Sequence, residues 1–182
     1  MKALVPLFLL AAIGLSLLGP HLLLADENPD EAEEKSGLVP ATVVEARGRA
    51  KLLHETLHGT LQLVHRDFFD PDEMDFIPSA TLDELFADLA EKQKVELHWL
   101  GIEGKTMSID HKPKDDFERK AVAALKAGKP EFEKIEGDRY RRVAPIVLHN
   151  SCLKCHVPNR KSLEDRVAGL AISMVFGKLA AE

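Results

Sequence analysis

Cysteine is scarce. The chain's two, Cys152 and Cys155, stand three positions apart, so they cannot staple distant segments, and a disulfide framework is excluded. They read as one local chemical motif. Aromatic residues make up only 5%, with a single tryptophan, Trp99, and a single tyrosine, Tyr140, both expected in packing and not in an aromatic binding box. Positive charge is in deficit: 24 Lys and Arg against 30 Asp and Glu give a net charge of −6, which excludes the basic patch that a nucleic-acid partner requires. After Asp26 no apolar run is long enough to span a bilayer, and no internal repeat occurs. What is present, 45% hydrophobic and 30% charged residues over 182 positions, suffices for one domain with its own core.

The organisation has three parts. Residues 1–25 run from Met1 and Lys2 through an uncharged stretch, Ala3 to Leu18, to Gly19-Pro20 and then Ala25, the layout of a secretory signal. Leu23 at the −3 position is not a small residue, so an uncleaved N-terminal anchor is the alternative, and only then would the protein touch a membrane. Both readings place the rest of the chain outside the cytoplasmic membrane, in the periplasm or anchored on its outer side. Residues 26–37 (DENPDEAEEKSG) carry six acids and one lysine and read as a flexible spacer. The folded domain is expected over 38–182, and apart from the spacer it is nearly neutral.

Periodicity sets the expected elements. Leu53, Leu57, Leu61, Val64 and Phe68 recur at threes and fours without an intervening proline, a long amphipathic helix over Ala41 to Phe69. A second helix, with Thr81 and Glu84 at capping-box spacing, runs to Lys92. Val95 to Ile102 and Lys105 to Asp110 then read as a hairpin about Glu103-Gly104. A helix capped by Asp115 or Asp116 closes at Gly128, strands follow at 131–135 and 139–148, and a last one at 167–176. The sum is an α+β fold of PAS or Cache type: a five-stranded, largely antiparallel sheet, helices to one side, a long N-terminal helix, and a cysteine-bearing insertion before the last strand.

That insertion, Ser151 to Val157 (SCLKCHV), contains Cys152-x-x-Cys155-His156. Two thiols at this spacing can add to the two vinyl groups of a haem while the adjacent histidine becomes the proximal iron ligand, so the motif predicts one covalent haem c. Export agrees, since c-type attachment takes place outside the cytoplasm. A thioredoxin-like pair would instead follow a βαβ pattern, with its first cysteine opening a helix. A structural zinc on His149, Cys152, Cys155 and His156 would crowd four ligands into eight residues.

A second set of ligand-type residues lies on the long helix. His54, His58 and His65, at steps of four and seven, fall within about 40° of one another. Any of the three could offer the distal iron ligand, and His58, followed by the unobstructive Gly59, is the first candidate, with His54 and His65 as alternatives. The same stretch formally satisfies H-E-x-x-H (His54, Glu55, His58), a zincin-type metalloprotease signature, with Glu84 as a conceivable third ligand; the metzincin continuation is out of register. Met74, Met107, Met174, His98, His111 and His149 rank lower as distal ligands, the methionines on strands being better suited to core filling. Arg139, Arg141 and Arg142 could meet haem propionates, although an alternating strand with solvated arginines is the plainer expectation.

With these motifs the chain resembles the haem-c-binding PAS-like domains of exported bacterial proteins, long catalogued as a domain of unknown function. The resemblance spans 41–177 and rests on Met107 to Ala124 (MSIDHKPKDDFERKAVAA), Tyr140 to Pro145 (YRRVAP) leading into the cysteine motif, and Val167 to Met174 (VAGLAISM). It implies a PAS-like fold, one covalent haem, and a sensory or electron-transfer role. Two departures stand out. Some members are thought to use a cysteine as second axial ligand, and this chain has no third cysteine; the asparagine-rich turn of the family is here His111-Lys112-Pro113-Lys114-Asp115. The expectation is therefore a monohaem c-type protein without a catalytic constellation of its own. No kinase, cyclase or methyl-accepting segment follows Met174, which puts an electron carrier with a redox partner ahead of a gas or redox sensor signalling through a separate protein. A weakly peroxidase-like enzyme would need open iron and an acid/base such as His54.

Overall fold

A computed structural model describes residues 39–68, 70, 78–103, 108–157 and 159–177. The leader, the spacer, Met74 and Met107 lie outside the described residues. Helix α1 (Val43–Phe68) begins where the Thr42 hydroxyl accepts the Glu45 N–H and the Glu45 carboxylate accepts the Ala41 N–H, a capping box displaced by one donor. Its buried stripe is Ala46, Ala50, His54 and Leu57; Phe68, expected on that stripe, is 77% exposed. Helix α2 (Pro78–Gln93) starts earlier than expected, with proline at the first position, where its missing N–H costs nothing, so Thr81 falls inside the helix.

Strand β1 (Val95–Leu100) is followed by a 3-10 turn (Ile109–His111), helix α3 (Asp116–Lys126), β2 (Phe132–Glu136), β3 (Arg139–Leu148), a short helix α4 (Asn150–His156) and β4 (Arg166–Val175). Asp115 caps α3 through the Glu118 N–H at 2.9 Å, and Gly128 leaves it at φ +80°. The sheet is wholly antiparallel, ordered β1-β4-β3-β2, so β4 enters last and lies between the strands made earlier.

Two expectations change. Among the described residues the sheet has four strands where five were expected: β1 pairs with β4, Val95 opposite Met174, and the described part of the segment expected as its hairpin partner, 108–110, forms no strand. At the end of that segment the Ser108 hydroxyl takes the Asp110 N–H and bends the chain into the 3-10 turn, local capping that competes with a ladder; residues 104–107 lie outside the described residues. Nor do the helices share one side. α1 and α2 cover the face made by Trp99, Tyr140, Ile146, Leu170, Ile172 and Met174, whereas α3 covers the other through Phe117, Ala121 and Leu125 against Leu100, Val143 and Ala171.

The second face is tight at Gly169, where an added Cβ would meet Ile102 Cδ1 at 2.8 Å and Leu100 Cβ and Val143 Cγ1 at 3.3 Å. Gly169→Ala is therefore expected to cost about 1–3 kcal/mol. A denaturant midpoint equal to that of the native chain would show that these neighbours yield freely.

The opposite face carries a half-buried polar clamp. The fully buried Tyr140 donates its hydroxyl to Glu133 at 2.7 Å, and Arg47 of α1 grips the same carboxylate with Nη2 at 2.7 Å and Nε at 3.0 Å. Burial and the neighbouring carboxylate hold the phenol well above its ordinary range, so it stays a donor. The clamp ties α1 to the β2–β3 hairpin.

Candidate functional site

Where β3 ends at Leu148 the chain turns directly into the cysteine helix. The His149 carbonyl accepts from the Cys152 N–H at 2.8 Å and the Leu153 N–H at 3.2 Å, and the Leu153 carbonyl accepts from the Val157 N–H at 3.0 Å, so α4 is closed at both ends by backbone. The His149 ring is 3.0 Å from Asp165. Cys152 is 8% exposed and packs with Leu148 and Leu153, with Val157 and Ala168 alongside. Burial pushes its thiol above the ordinary value. Cys155 and His156 are half-buried. Burial lowers the pKa of His156, and the positive charge that His111 and His65 can carry adds to the effect. The ring is held neutral, the form in which imidazole binds a metal.

Beside α4 lies a cavity of about 490 Å³, walled by Gln62, Leu63, His65 and Arg66 from the last turns of α1 and by His149, Ser151 and Lys154. Lys154 stands at its rim, and Arg66 there already pairs with Asp67 at 2.6 Å. A second cavity of about 420 Å³, on the α3 side of the sheet, is lined by charges that already face one another, such as Arg141 with Asp115 at 2.6 Å and His98 with Glu118 at 3.1 Å.

The histidine row takes a course that the sequence reading did not anticipate. β2 ends opposite Val143, so β3 from Ala144 onward has a bare edge, and α1 covers it. His54 Nε2 is 3.1 Å from the Pro145 carbonyl, His58 Nε2 accepts the Val147 N–H at 3.4 Å, and Gln62 donates to the Val147 carbonyl at 2.7 Å. Pro145 has no N–H to satisfy, which is why a strand can carry it on an edge. Three side chains at four-residue steps thus complete the backbone accounts of a strand that has outrun its neighbour. The signal was available in the unequal lengths of β2 and β3 and in Pro145 itself.

The formal H-E-x-x-H is spent on that task. The two imidazoles are 5.7 Å apart between ring centres, both Nε2 atoms face β3 backbone, and Glu55 and Glu84 are exposed. Among the described residues no three His, Cys, Asp or Glu side chains converge on one point. A zinc, which takes four ligands largely from protein, has no such set in the described residues, whereas a porphyrin brings four nitrogens and asks the chain for one or two axial atoms.

Other candidates are placed as follows. Met174 is 2% exposed in the core, and Trp99 and Tyr140 are packed there too. His98 lies between Glu118 and the Asp110 carbonyl. Two of the arginines are not solvated, Arg141, paired with Asp115, and the 5%-exposed Arg142, paired with Glu131; Arg139 pairs with Glu96 but is 42% exposed.

An antiparallel sheet with helices on both faces and a CxxCH helix leading into its central strand defines an α+β domain with one local cofactor-type motif. The sequence matches the Tll0287-like family (Tll0287) over residues 30–172, and the chain belongs to that family. This is the haem-domain family that its motifs resembled. The fold is similar to the crystal structure of the cyanobacterial heme-protein Tll0287, at 13% identity and a TM-score of 0.50, covering 85% of this chain and 99% of that one. At that identity the likeness is one of fold. Comparison with curated proteins returns no match.

Proposed function

We propose that this chain is an exported monohaem c-type protein that carries electrons for a redox partner. One observation carries the reading: Cys152, Cys155 and the neutral His156 are held together on one seven-residue helix, with the buried Cys152 in an apolar cluster. The family's namesake being a heme protein supports it. Each thiol would add its S–H across a vinyl C=C, forming a C–S bond with nothing leaving. At Cys152 this replaces a buried, poorly acidic thiol by an apolar thioether in an apolar cluster. When bound, the haem supplies a one-electron iron couple. The residues would do the rest: His156 offers a neutral nitrogen, and the two thiols fix the group to one short helix. The acidic spacer and leader fit a domain delivered outside the cytoplasm.

The test is export of the full chain together with haem-attachment machinery. We expect a c-type pyridine haemochrome, about one iron per chain, and haem that stays with the polypeptide after denaturation, all lost in Cys152→Ser/Cys155→Ser. A colourless native chain, or haem that organic solvent extracts, would overturn the reading.

A further inference from the structure

We infer that the outward face of α1 pairs with the same face of a second copy of this chain, the two helices running antiparallel about a two-fold axis that passes between Glu55 and Thr56. The inference rests on the fold alone and not on the haem reading. A helix covered on one side is expected to be polar on the other. Opposite its buried stripe of Ala46, Ala50, His54 and Leu57, α1 instead carries Leu52 and Leu63, which are 72% and 51% exposed, with Val44, 70% exposed, at the edge of the same face. Between them stand Gly48 and Gly59, where an added Cβ would meet nothing within 4 Å.

These residues form a pattern. Gly48 to Leu52 (GRAKL) and Gly59 to Leu63 (GTLQL) are the same Gly-x-x-x-Leu unit, set eleven residues apart. Eleven residues make close to three turns, so both units look the same way. Each offers an aliphatic side chain one turn from a bare stretch of backbone.

Matching those side chains to those recesses fixes the register. With one helix turned end for end, Leu52 faces the partner's Gly59 and Leu63 faces the partner's Gly48, and symmetry makes each contact twice. The same register sets Glu45, near the start of α1, opposite the partner's Arg66 near its end, acid against base. Glu45 already holds Arg49 and Arg66 holds Asp67, so the two ends add direction and little strength. A parallel pair would put leucine on leucine and glycine on glycine, leave the recesses empty, and set Glu45 against its own copy. One contact opposes association, since the two Glu55 carboxylates, 75% exposed in the single chain, meet beside the axis. The paired length from Glu45 to Arg66 is about 30 Å, a small contact beside a standard interface of roughly 1,600 Å², so the dimer is weak and reversible.

Sedimentation equilibrium of the exported full chain over a concentration series tests the pairing. The native chain is expected to show a reversible equilibrium between monomer and dimer, without larger species. Gly59→Leu fills the recess that Leu52 enters, and should raise the dissociation constant about tenfold or more even though it adds apolar surface. The new side chain meets nothing in its own chain and leucine favours helix over glycine, so the urea midpoint of this variant should be no lower than the native one. Leu52→Ser, at a site already exposed, should weaken the dimer likewise. Glu55→Gln removes the facing carboxylates and should tighten it about threefold. A native chain that stays monomeric at a concentration on the order of 1 mM would overturn the pairing. So would a Gly59→Leu chain that associates more strongly, the mark of a parallel pair or a generally adhesive face. Dimers unchanged by Gly59→Leu and Leu52→Ser would place the contact elsewhere, and a Glu55→Gln chain that associates less would remove the axis.

Discussion

His54→Ala lowers the unfolding free energy by about 2–4 kcal/mol, whereas His58→Ala, one turn away on the same stripe, costs about 1 kcal/mol or less. The difference lies in burial and in what each leaves behind. His54 is 3% exposed, and its ring fills space between α1 and β3. Removing it opens a void and leaves the Pro145 carbonyl, on an edge that β2 does not reach, with an orphan lone pair. His58 is only half-buried and accepts a long bond at 3.4 Å, and Gln62 remains on the same residue of β3. Urea midpoints at neutral pH measure both. Equal losses for the two variants would mean that the edge contacts, and not the buried ring volume, dominate. No loss for His54→Ala would remove the structural account of the row and return His54 to the pool of haem ligands.

How much of this could be seen in the chain beforehand depended on how local the cause was. The Asp115 cap and the Gly128 exit are each determined within a few residues and stand where the sequence placed them; the cysteine insertion lies between β3 and β4 as expected, but its folding into a helix, Asn150–His156, was not read from the sequence. The pairing of β1 with β4 joins residues far apart in the chain, Val95 opposite Met174 and Leu100 opposite Gly169, and nothing in VELHWL names its partner, whereas a hairpin with the next segment is the default for neighbours. The histidine stripe was legible as a face but not as a function, because its meaning comes from a bare edge on another element. Arg142 was expected in solvent and is buried. It sits on the α1 face of β3, where Glu131, just before β2, reaches it at 2.8 Å. Alternation predicts which face a side chain takes, and only the packing decides whether that face is wet.

Stability is expected to fall with acid in two stages, the first shared by the histidines that burial keeps neutral, His58, His65, His111, His156 and, with only 3% of its surface exposed, His54. Its pKa is lowered from the ordinary 6.5, chiefly by burial and next by the Arg142 guanidinium, with His58 adding to the effect and exposed Glu55 opposing it. The sign follows from proton counting. As pH drops below 6.5 the unfolded chain takes up a proton on this ring while the folded chain refuses it, so the unfolded state binds more protons and is favoured by up to about 1.4 kcal/mol per pH unit until the folded ring titrates. Glu133 acts later. Held below its ordinary 4.5 first of all by the hydrogen bond from Arg47, it contributes stability that is lost only as the pH falls through that lower value. Urea unfolding followed from pH 7.5 to 4 should thus give a plateau, a decline that begins near 6.5, and a steeper limb below 4.5. His54→Gln, which can still donate to the Pro145 carbonyl but carries no titrating group, should make the decline over the middle interval shallower and leave the acid limb in place. Should the variant decline between 6.5 and 4.5 as steeply as the native chain, the buried imidazole takes no part in the first stage, and the half-buried histidines would have to carry it.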